Sequence, residues 1–240
     1  MIFQIYIISF AIFDFLKLYG RVHKLQMEQK LQILEKHVSE LEKVIFSRKV
    51  IIPDPPFRPE DHIDPGLIQM AKDRHLEGFC AARRVPSDYY QRDLEYRRNS
   101  IDSQSVDQLC KCVIYEIKDA PDPLKRFICL VVQYVDRISP QKLLDVASMI
   151  CDHQVSDVSN AKEEDAQELS GSKYNAMTPV YLRPSKEYQK YHVTVVLSEK
   201  IAALNPPFFW LGGGEVDVKF GIQTQKFVST FNPIIYNFSK

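Results

Sequence analysis

The chain has 240 residues, enough for one good-sized domain with an appendage, and its apolar content of 45% leaves ample material for a core. Its 31 Lys and Arg residues are balanced by 31 Asp and Glu residues, so the net charge is zero. Proteins that hold nucleic acid chiefly by charge carry a basic excess, so any nucleic-acid partner here would be held locally, by a patch and a pocket.

The five cysteines are odd in number and contain no C-x-x-C pair, which argues against a disulfide framework and against a zinc site. Cys129 lies in an apolar run and is predicted to be a buried small hydrophobe. This cysteine usage predicts a reducing, cytoplasmic environment. The six histidines are scattered, and the chain has no nucleophile elbow, Walker loop, zinc-protease motif or dinucleotide fingerprint. We therefore expect no metal, no cofactor and no Ser–His–Asp triad.

Residues 1–26 form an apolar segment, uncharged until Asp14 and Lys17. The uncharged part is shorter than the ~20 residues that span a bilayer, so no stable membrane insertion is expected. It has the length of a signal-peptide core, but no basic residue precedes it and no small-residue cleavage site follows it. A further hypothesis is that the natural chain begins at Met27. Recovering peptides from residues 2–20 of the native protein would exclude that hypothesis.

Residues 27–50 are predicted to form an amphipathic helix with a coiled-coil-like seam. Apolar residues recur from Met27 to Ile45 in alternating steps of four and three, and charged residues fill the outer faces. A seam of under three heptads is marginal alone, so residues 27–48 are expected to self-associate or to lie on another apolar surface, such as that of the chain's own domain. The five prolines of residues 51–65 predict a stiff linker before a domain at 66–240.

Arginines and tyrosines are interleaved in VPSDYYQRDLEYRR, residues 85–98, and Arg83 and Arg84 precede this stretch in a strand predicted at 79–85. Such a mixture can hold phosphates and stack bases, and it is also typical of a solvated polar surface. The arginines for which contacts with a nucleic-acid backbone are predicted are Arg83, Arg84, Arg97 and Arg98.

Ser105 and Gln108 match an S-x-x-Q capping box, which predicts a short helix at 106–111 leading into an apolar strand at 112–117. Lys111 lies at this junction among apolar neighbours. A lysine ammonium is rarely buried without a partner, so its side chain is expected either to extend to solvent or to point into a pocket for an anion. Residues 126–135 are the clearest buried strand, followed by an N-cap at Ser139 that predicts a helix.

The stretch FFWLGGGEVDVKFG, residues 208–221, is predicted to be two strands joined by a tight glycine turn. Apolar and charged residues alternate over 216–220, the period of a half-buried strand. Three consecutive glycines suit a turn or the close approach of a ligand, with Glu215 at the mouth of the turn. The alternative is a plain hairpin with a solvated glutamate. A last helix is predicted from Thr224 to Phe231.

Four separated stretches resemble the YbaK-like aminoacyl-tRNA deacylase family, also called the prolyl-tRNA synthetase-associated editing domain. They are VPSDYY (85–90), SVDQLCKCVIYE (105–116), LSGSKYNAMTP (169–179) and WLGGGEVDVKFG (210–221). The resemblance covers roughly residues 79–231 and is closest to the stand-alone eukaryotic branch. It implies an α/β fold with a mixed sheet flanked by helices. It also implies hydrolysis of the ester between an amino acid and the 3′ end of a mischarged tRNA.

The resemblance further implies which residues form the site. The family's pocket lysine falls on Lys111, which is therefore the predicted catalytic residue, and Cys112 stands where Ser or Thr is usual. The family's G-x-x-x-P substrate loop falls on residues 175–179, with Asn175 in place of the first glycine, and Glu215 is expected to receive the α-ammonium of the substrate. The substrate-binding residues predicted in this way are Asn175, Ala176, Met177, Thr178, Pro179, Gly212, Gly213, Gly214 and Glu215.

An aminoacyl ester is already activated, so its hydrolysis needs positioning and electrostatic stabilisation but no strong nucleophile. The predicted function is trans-editing of a tRNA mischarged with a small amino acid, in the service of translation fidelity, with the aminoacyl-tRNA 3′ end as partner. The alternative is a catalytically weak or inactive protein on the same fold that binds tRNA or a synthetase complex. The substituted glycine at Asn175 and the added N-terminal helix favour that alternative.

Overall fold

The computed structural model describes residues 52–173, 176–182 and 193–238, together with Lys30, Gln32 and Lys36. The chain divides into two compact units, residues 1–49 and 50–240. The three described residues of the first unit are helical and exposed. The rest of the segments predicted at 1–26 and 27–50 lies outside the described residues. Within the described part of the chain, no helix is both long and apolar enough to cross a membrane.

Eight strands and six α-helices occur in the described residues. The strands are β1 (Cys80–Arg84), β2 (Cys110–Ile117), β3 (Phe127–Gln133), β4 (Val158–Asn160), β5 (Val193–Ser198), β6 (Phe208–Gly212), β7 (Val218–Gln223) and β8 (Ile234–Tyr236). The helices are α1 (Pro65–Asp73), α2 (Leu94–Ser100), α3 (Pro140–Cys151), α4 (Glu163–Ser170), α5 (Glu199–Ala202) and α6 (Thr224–Phe231).

The strands form two sheets. The larger sheet has the order β4-β2-β3-β5-β8, and the smaller sheet has the order β1-β7-β6. In the larger sheet β2 is antiparallel to β3 and β4, whereas β3, β5 and β8 run parallel, so the sheet is mixed. The smaller sheet is antiparallel throughout. This architecture confirms the predicted α/β class with a mixed sheet flanked by helices.

The core follows from the two-residue period of β3. Phe127, Cys129 and Val131 face a cluster shared with α1, α4, α6 and the smaller sheet, while alternate residues face a second cluster built with α3. Both faces of β3 are therefore buried, as its continuous apolar run predicts. Ser139 caps α3 by accepting a hydrogen bond from the Lys142 amide, as predicted.

The prediction of a short helix at 106–111 followed by a strand at 112–117 is partly confirmed. The capping box forms: Ser105 accepts from the Asp107 amide, and the Gln108 side chain accepts from the Ser105 amide. The helix is a single 3-10 turn that ends at Gln108, and β2 begins at Cys110. Lys111 therefore lies inside the strand, because pairing with β3 extends the ladder back to this point.

The proline-rich segment packs on the domain and is not a free spacer. Phe57 forms a parallel bridge with Ala82, and the Ala82 amide donates to the Pro56 carbonyl at 2.9 Å. The buried guanidinium of Arg83 donates to the carbonyls of Pro55, at 2.9 Å, and Pro56, at 3.0 Å. Prolines lack a donor but keep their carbonyl, so β1 and Arg83 can hold this segment without regular secondary structure.

Candidate functional site

A cavity of about 350 Å³ lies where the first half of β2 approaches the smaller sheet. β4 pairs only with residues 115–117, so on this side the earlier part of β2 has no strand neighbour among the described residues. Residues 110–114 of β2 form one wall, and Trp210 and Gly212 of β6 form another. Aromatic rings and backbone therefore enclose a space of the size that small-molecule ligands occupy in proteins.

Lys111 is one of the residues that line this cavity. Its Nζ lies 5.9 Å from the centre of the Tyr134 ring, within cation–π distance. The side chain is half-buried, and its backbone pairs with Val132 in β3. A paired strand thus fixes the backbone of a cationic residue at the cavity wall.

The glycine strip, residues 212–214, packs closely against the loop at residues 176–177. A Cβ added to Gly212 would lie 2.6 Å from the Ala176 carbonyl oxygen, closer than real Cβ atoms approach a backbone oxygen. Gly214 has φ +89°, a left-handed conformation that favours glycine, and its amide donates to the Ala176 carbonyl at 3.2 Å. Ala176 is completely buried, and Met177 lines the cavity. The strip therefore positions the loop that forms part of the cavity wall.

Only some of the residues predicted to bind the substrate line the cavity. Met177 and Gly212 line the cavity. Thr178 is buried, and its hydroxyl accepts from the Val180 amide at 3.3 Å to cap a 3-10 turn. The remaining described members, Ala176, Pro179, Gly213 and Gly214, are not part of the cavity lining. Asn175 lies outside the described residues.

We expect Gly212→Ala to displace residues 176–177 from the smaller sheet, because the added methyl group meets backbone and not a flexible side chain. The expected cost is about 1–3 kcal/mol of stability, with weakened binding of ligands in the cavity. Gly66→Ala is the control, since a Cβ added to Gly66 would meet only the Asp64 side chain, at 3.2 Å, and no backbone atom. Thermal unfolding and the affinity for an amide-linked aminoacyl-adenosine measure the two effects. Unaltered affinity in Gly212→Ala would contradict this role of the strip.

Glu215 does not line the cavity. Its Oε2 lies 3.3 Å from both terminal nitrogens of Arg84, which also pairs with Asp217. The carboxylate is thus engaged in an ion pair across the turn, although a role in receiving an ammonium was expected. Glu163, at the start of α4, does line the cavity and is exposed at its rim.

The four arginines predicted to contact tRNA are engaged within the protein. Arg83 is buried and holds the proline-rich segment, whereas Arg84 donates to the backbone carbonyls of Asp61 and His62 in addition to its ion pairs. The carbonyl partners of Arg97 are those of Tyr89, Tyr90 and Arg92, and the partners of Arg98 are the Glu95 carboxylate and the Ser103 carbonyl. All four guanidiniums therefore have partners within the protein, and their contact with a tRNA backbone stays a prediction.

Sequence reasoning missed Lys219, the second lysine of the cavity. The alternation in 216–220 predicts a solvated side for this residue, but it is only 5% exposed. β7 is the central strand of its sheet, and Tyr89 and Tyr90 cover the face towards which Lys219 points. Burial, together with the positive charge of Arg97, lowers the pKa of Lys219 to about 7 in spite of the nearby Asp217. The sequence signal was weak: a lysine inside a strand that follows an aromatic run.

Solved structures with the same fold were found, although no protein-family model and no curated protein matches the sequence. One is described as "a putative trans-editing enzyme for prolyl tRNA synthetase"; it matches with a TM-score of 0.57 at 14% identity, over 74% of this chain and 99% of that chain. The hypothetical protein APE2540 matches with a TM-score of 0.54 at 14% identity, over 72% and 99%. A scaffold for computational epitope backbone grafting matches with a TM-score of 0.54 at 14% identity, over 74% and 99%.

Matches at this identity establish architecture, since chains with one fold can perform different chemistry. In each of these three matches the aligned region spans almost the whole of the solved chain, so the shared fold is a complete domain. The part of this chain that carries the cavity therefore has the mixed α/β fold of the YbaK-like editing domains.

Proposed function

We propose that the cavity binds the 3′-terminal aminoacyl-adenosine of a mischarged tRNA and promotes hydrolysis of its ester. The observation that carries this proposal is that Lys111, Met177 and Gly212 line one cavity of about 350 Å³. The cavity has a size suited to a nucleoside with a small acyl group. The similarity to a fold neighbour described as a trans-editing protein supports the same reading.

In the proposed reaction a water oxygen attacks the ester carbonyl carbon. The carbonyl oxygen becomes an oxyanion, and as the carbonyl re-forms the bond to the ribose oxygen breaks. One proton of the water passes to that oxygen, which leaves as the hydroxyl of the tRNA. The amino acid is released as a carboxylate, and the second proton of the water goes to solvent. The Lys111 ammonium stabilises negative charge on the oxyanion or on the adjacent phosphate. Because the ester is already activated, a few such contacts suffice; each tenfold in rate requires about 1.4 kcal/mol.

The walls supply the remaining recognition. The half-buried rings of Tyr90 and Tyr134 provide faces on which a base can stack. The α-ammonium of the amino acid is assigned to Glu163, because this carboxylate lines the cavity whereas Glu215 is paired with Arg84. The volume of the cavity then limits the size of the acyl group, as in an editing site that rejects larger amino acids.

Glu163→Gln is expected to raise KM about tenfold for an aminoacyl-tRNA with a free α-ammonium, because it removes one charge-assisted contact. Glu215→Gln is the matched control and is expected to leave KM near the wild-type value. Both variants are compared on alanyl-tRNA and on its N-acetylated form, in which the ammonium is absent. If Glu163→Gln affects the two substrates equally, the ammonium does not bind at Glu163.

The function itself is tested by a deacylation panel of tRNAs charged with Ala, Ser, Cys or Pro, using the purified full chain. Hydrolysis of one or more of these substrates above the spontaneous rate is the expected result. Binding of tRNA without turnover of any of them would indicate the alternative, a binding protein that retains the fold. Absence of both binding and turnover would overturn the proposal.

A further inference from the structure

Lys219 is a buried lysine that forms no ion pair with a carboxylate in the part of the chain that the structure describes. Its Nζ contacts the Tyr90 hydroxyl and lies 3.4 Å from the Val216 carbonyl oxygen. Asp217 is the acidic residue nearest in the chain, and it pairs with Arg84. Among the described residues no carboxylate forms an ion pair with Lys219. A buried lysine is usually paired with a carboxylate. Burial of an amine without such a partner destabilises the fold.

The groups facing Lys219 from other elements are aromatic or cationic. Its Nζ lies 4.4 Å from the centre of the Tyr90 ring and 5.1 Å from that of Tyr89. The Tyr90 hydroxyl is hydrogen-bonded in turn to Tyr134, whose ring lies below the Lys111 ammonium. The Arg97 guanidinium lies 5.5 Å from the Tyr90 ring centre, and its charge opposes protonation of Lys219.

The two lysines therefore lie at opposite ends of a hydrogen-bonded pair of tyrosines on one cavity wall. Glu163 is the acidic residue among the described lining residues, and it lies at the exposed rim. The lining of the cavity thus combines two lysines with aromatic rings. A ligand that brings negative charge to this wall would gain from both lysines, whereas a neutral ligand would leave the Lys219 charge uncompensated.

We propose that Lys219 is a second anion-binding residue of this cavity and that the ligand supplies the oxyanion it lacks within the protein. The inference deepens the proposed function by adding a substrate feature: besides the group that Lys111 contacts, the bound tRNA end places an oxyanion beside Lys219. Its two sources in an aminoacyl-tRNA end are the phosphate of the terminal nucleotide and the carboxylate of an acidic acyl group.

The proposal predicts that binding takes up a proton. With a pKa of about 7, most Lys219 side chains are neutral at pH 7.5. An oxyanion at hydrogen-bonding distance favours the ammonium form and raises the pKa, so the ligand binds together with most of one proton at that pH. For the same reason, affinity for the anionic ligand is expected to fall as the pH rises above 7, while affinity for an uncharged analogue changes little.

The test uses four amide-linked analogues, which cannot be hydrolysed: alanyl- and aspartyl-adenosine, each with and without a 5′-phosphate. Calorimetry at pH 7.5 in two buffers of different ionisation enthalpy measures affinity and proton uptake. We expect Lys219→Met to weaken binding of the analogue with the recognised oxyanion by about 10- to 100-fold and to abolish proton uptake. Lys219→Arg is expected to restore part of the affinity without proton uptake, because arginine remains charged.

The pattern across the four ligands identifies the source of the oxyanion. If Lys219→Met loses affinity only for the analogues with a 5′-phosphate, the oxyanion is the phosphate of the terminal nucleotide. If it loses affinity only for the aspartyl analogues, the oxyanion is the carboxylate of the acyl side chain. If Lys219→Met binds all four analogues like the wild type, or takes up as many protons, the inference is overturned while the proposed function stands. If the folded wild-type chain binds none of the analogues, the proposed function and the inference both fail.

Discussion

Lys111→Ala is expected to lower kcat/KM for deacylation about 100- to 1000-fold, the loss typical when one stabilising contact to a developing oxyanion is removed. The fold is expected to survive, because the Lys111 side chain is half-buried at the cavity and belongs to neither core cluster. The ladder between β2 and β3 uses its backbone, which alanine retains. Single-turnover deacylation of the tRNA that the panel identifies measures the effect, with circular dichroism as the test of folding.

The kinetic pattern distinguishes two roles for this lysine. A fall in kcat at constant KM indicates contact with the oxyanion, because that charge exists only in the transition state. A rise in KM at constant kcat indicates contact with a phosphate of the bound tRNA. Lys72→Ala serves as control, since Lys72 is an exposed lysine of α1 outside the cavity. Full activity of Lys111→Ala would remove this residue from the mechanism.

Lys219→Met is expected to stabilise the protein at neutral pH by a few kcal/mol, since each pKa unit corresponds to about 1.4 kcal/mol. Burial lowers the pKa of Lys219 from its ordinary value of 10.5 to about 7 in the folded state. Between these two values the unfolded chain binds more protons than the folded chain, so wild-type stability rises with pH through this window. Below pH 7 the full cost of burying the ammonium remains. Methionine has a similar length and carries no charge, so it does not incur this cost.

Urea unfolding of both proteins between pH 6 and 9.5 measures this difference. Other groups titrate in the same range: burial raises the pKa values of Cys80, Cys110 and Cys129, which lowers stability as the unfolded thiols ionise. These groups are common to both proteins, so the difference between the two curves isolates Lys219. It should be largest at pH 6 and shrink towards pH 9.5. Parallel curves would show that Lys219 keeps an ordinary pKa.

A lysine whose removal stabilises the fold is retained for another reason, and ligand binding is a common one. The expected gain in stability at Lys219 and the expected loss of anion affinity are two consequences of one arrangement. A buried amine without a carboxylate partner costs free energy in the empty cavity, and an oxyanion in the ligand offsets that cost. Measuring both on the same variant links the stability of the protein to its chemistry.

The elements that the sequence predicted are those governed by neighbours along the chain. The continuous apolar run of β3 indicated burial on both faces, and the residues 224–231 of α6 were predicted to the residue. The capping box at Ser105 formed because its partners are separated by only three positions. Lys111 and the glycine strip were singled out by their local sequence pattern and then by the family resemblance, and Lys111 and Gly212 line one cavity.

What only the tertiary structure decided is the pairing of charges over long distances in the chain. Arg84 and Glu215 are 131 positions apart, and this contact moves Glu215 out of the cavity and leaves Glu163 as the carboxylate at its rim. Lys219 follows an alternating pattern that predicts exposure, yet a tyrosine loop more than a hundred residues earlier covers it. The periodicity of a sequence shows which face of a helix or strand is apolar. The ionic partner or aromatic cover of a charged residue depends instead on which distant segments the fold brings together.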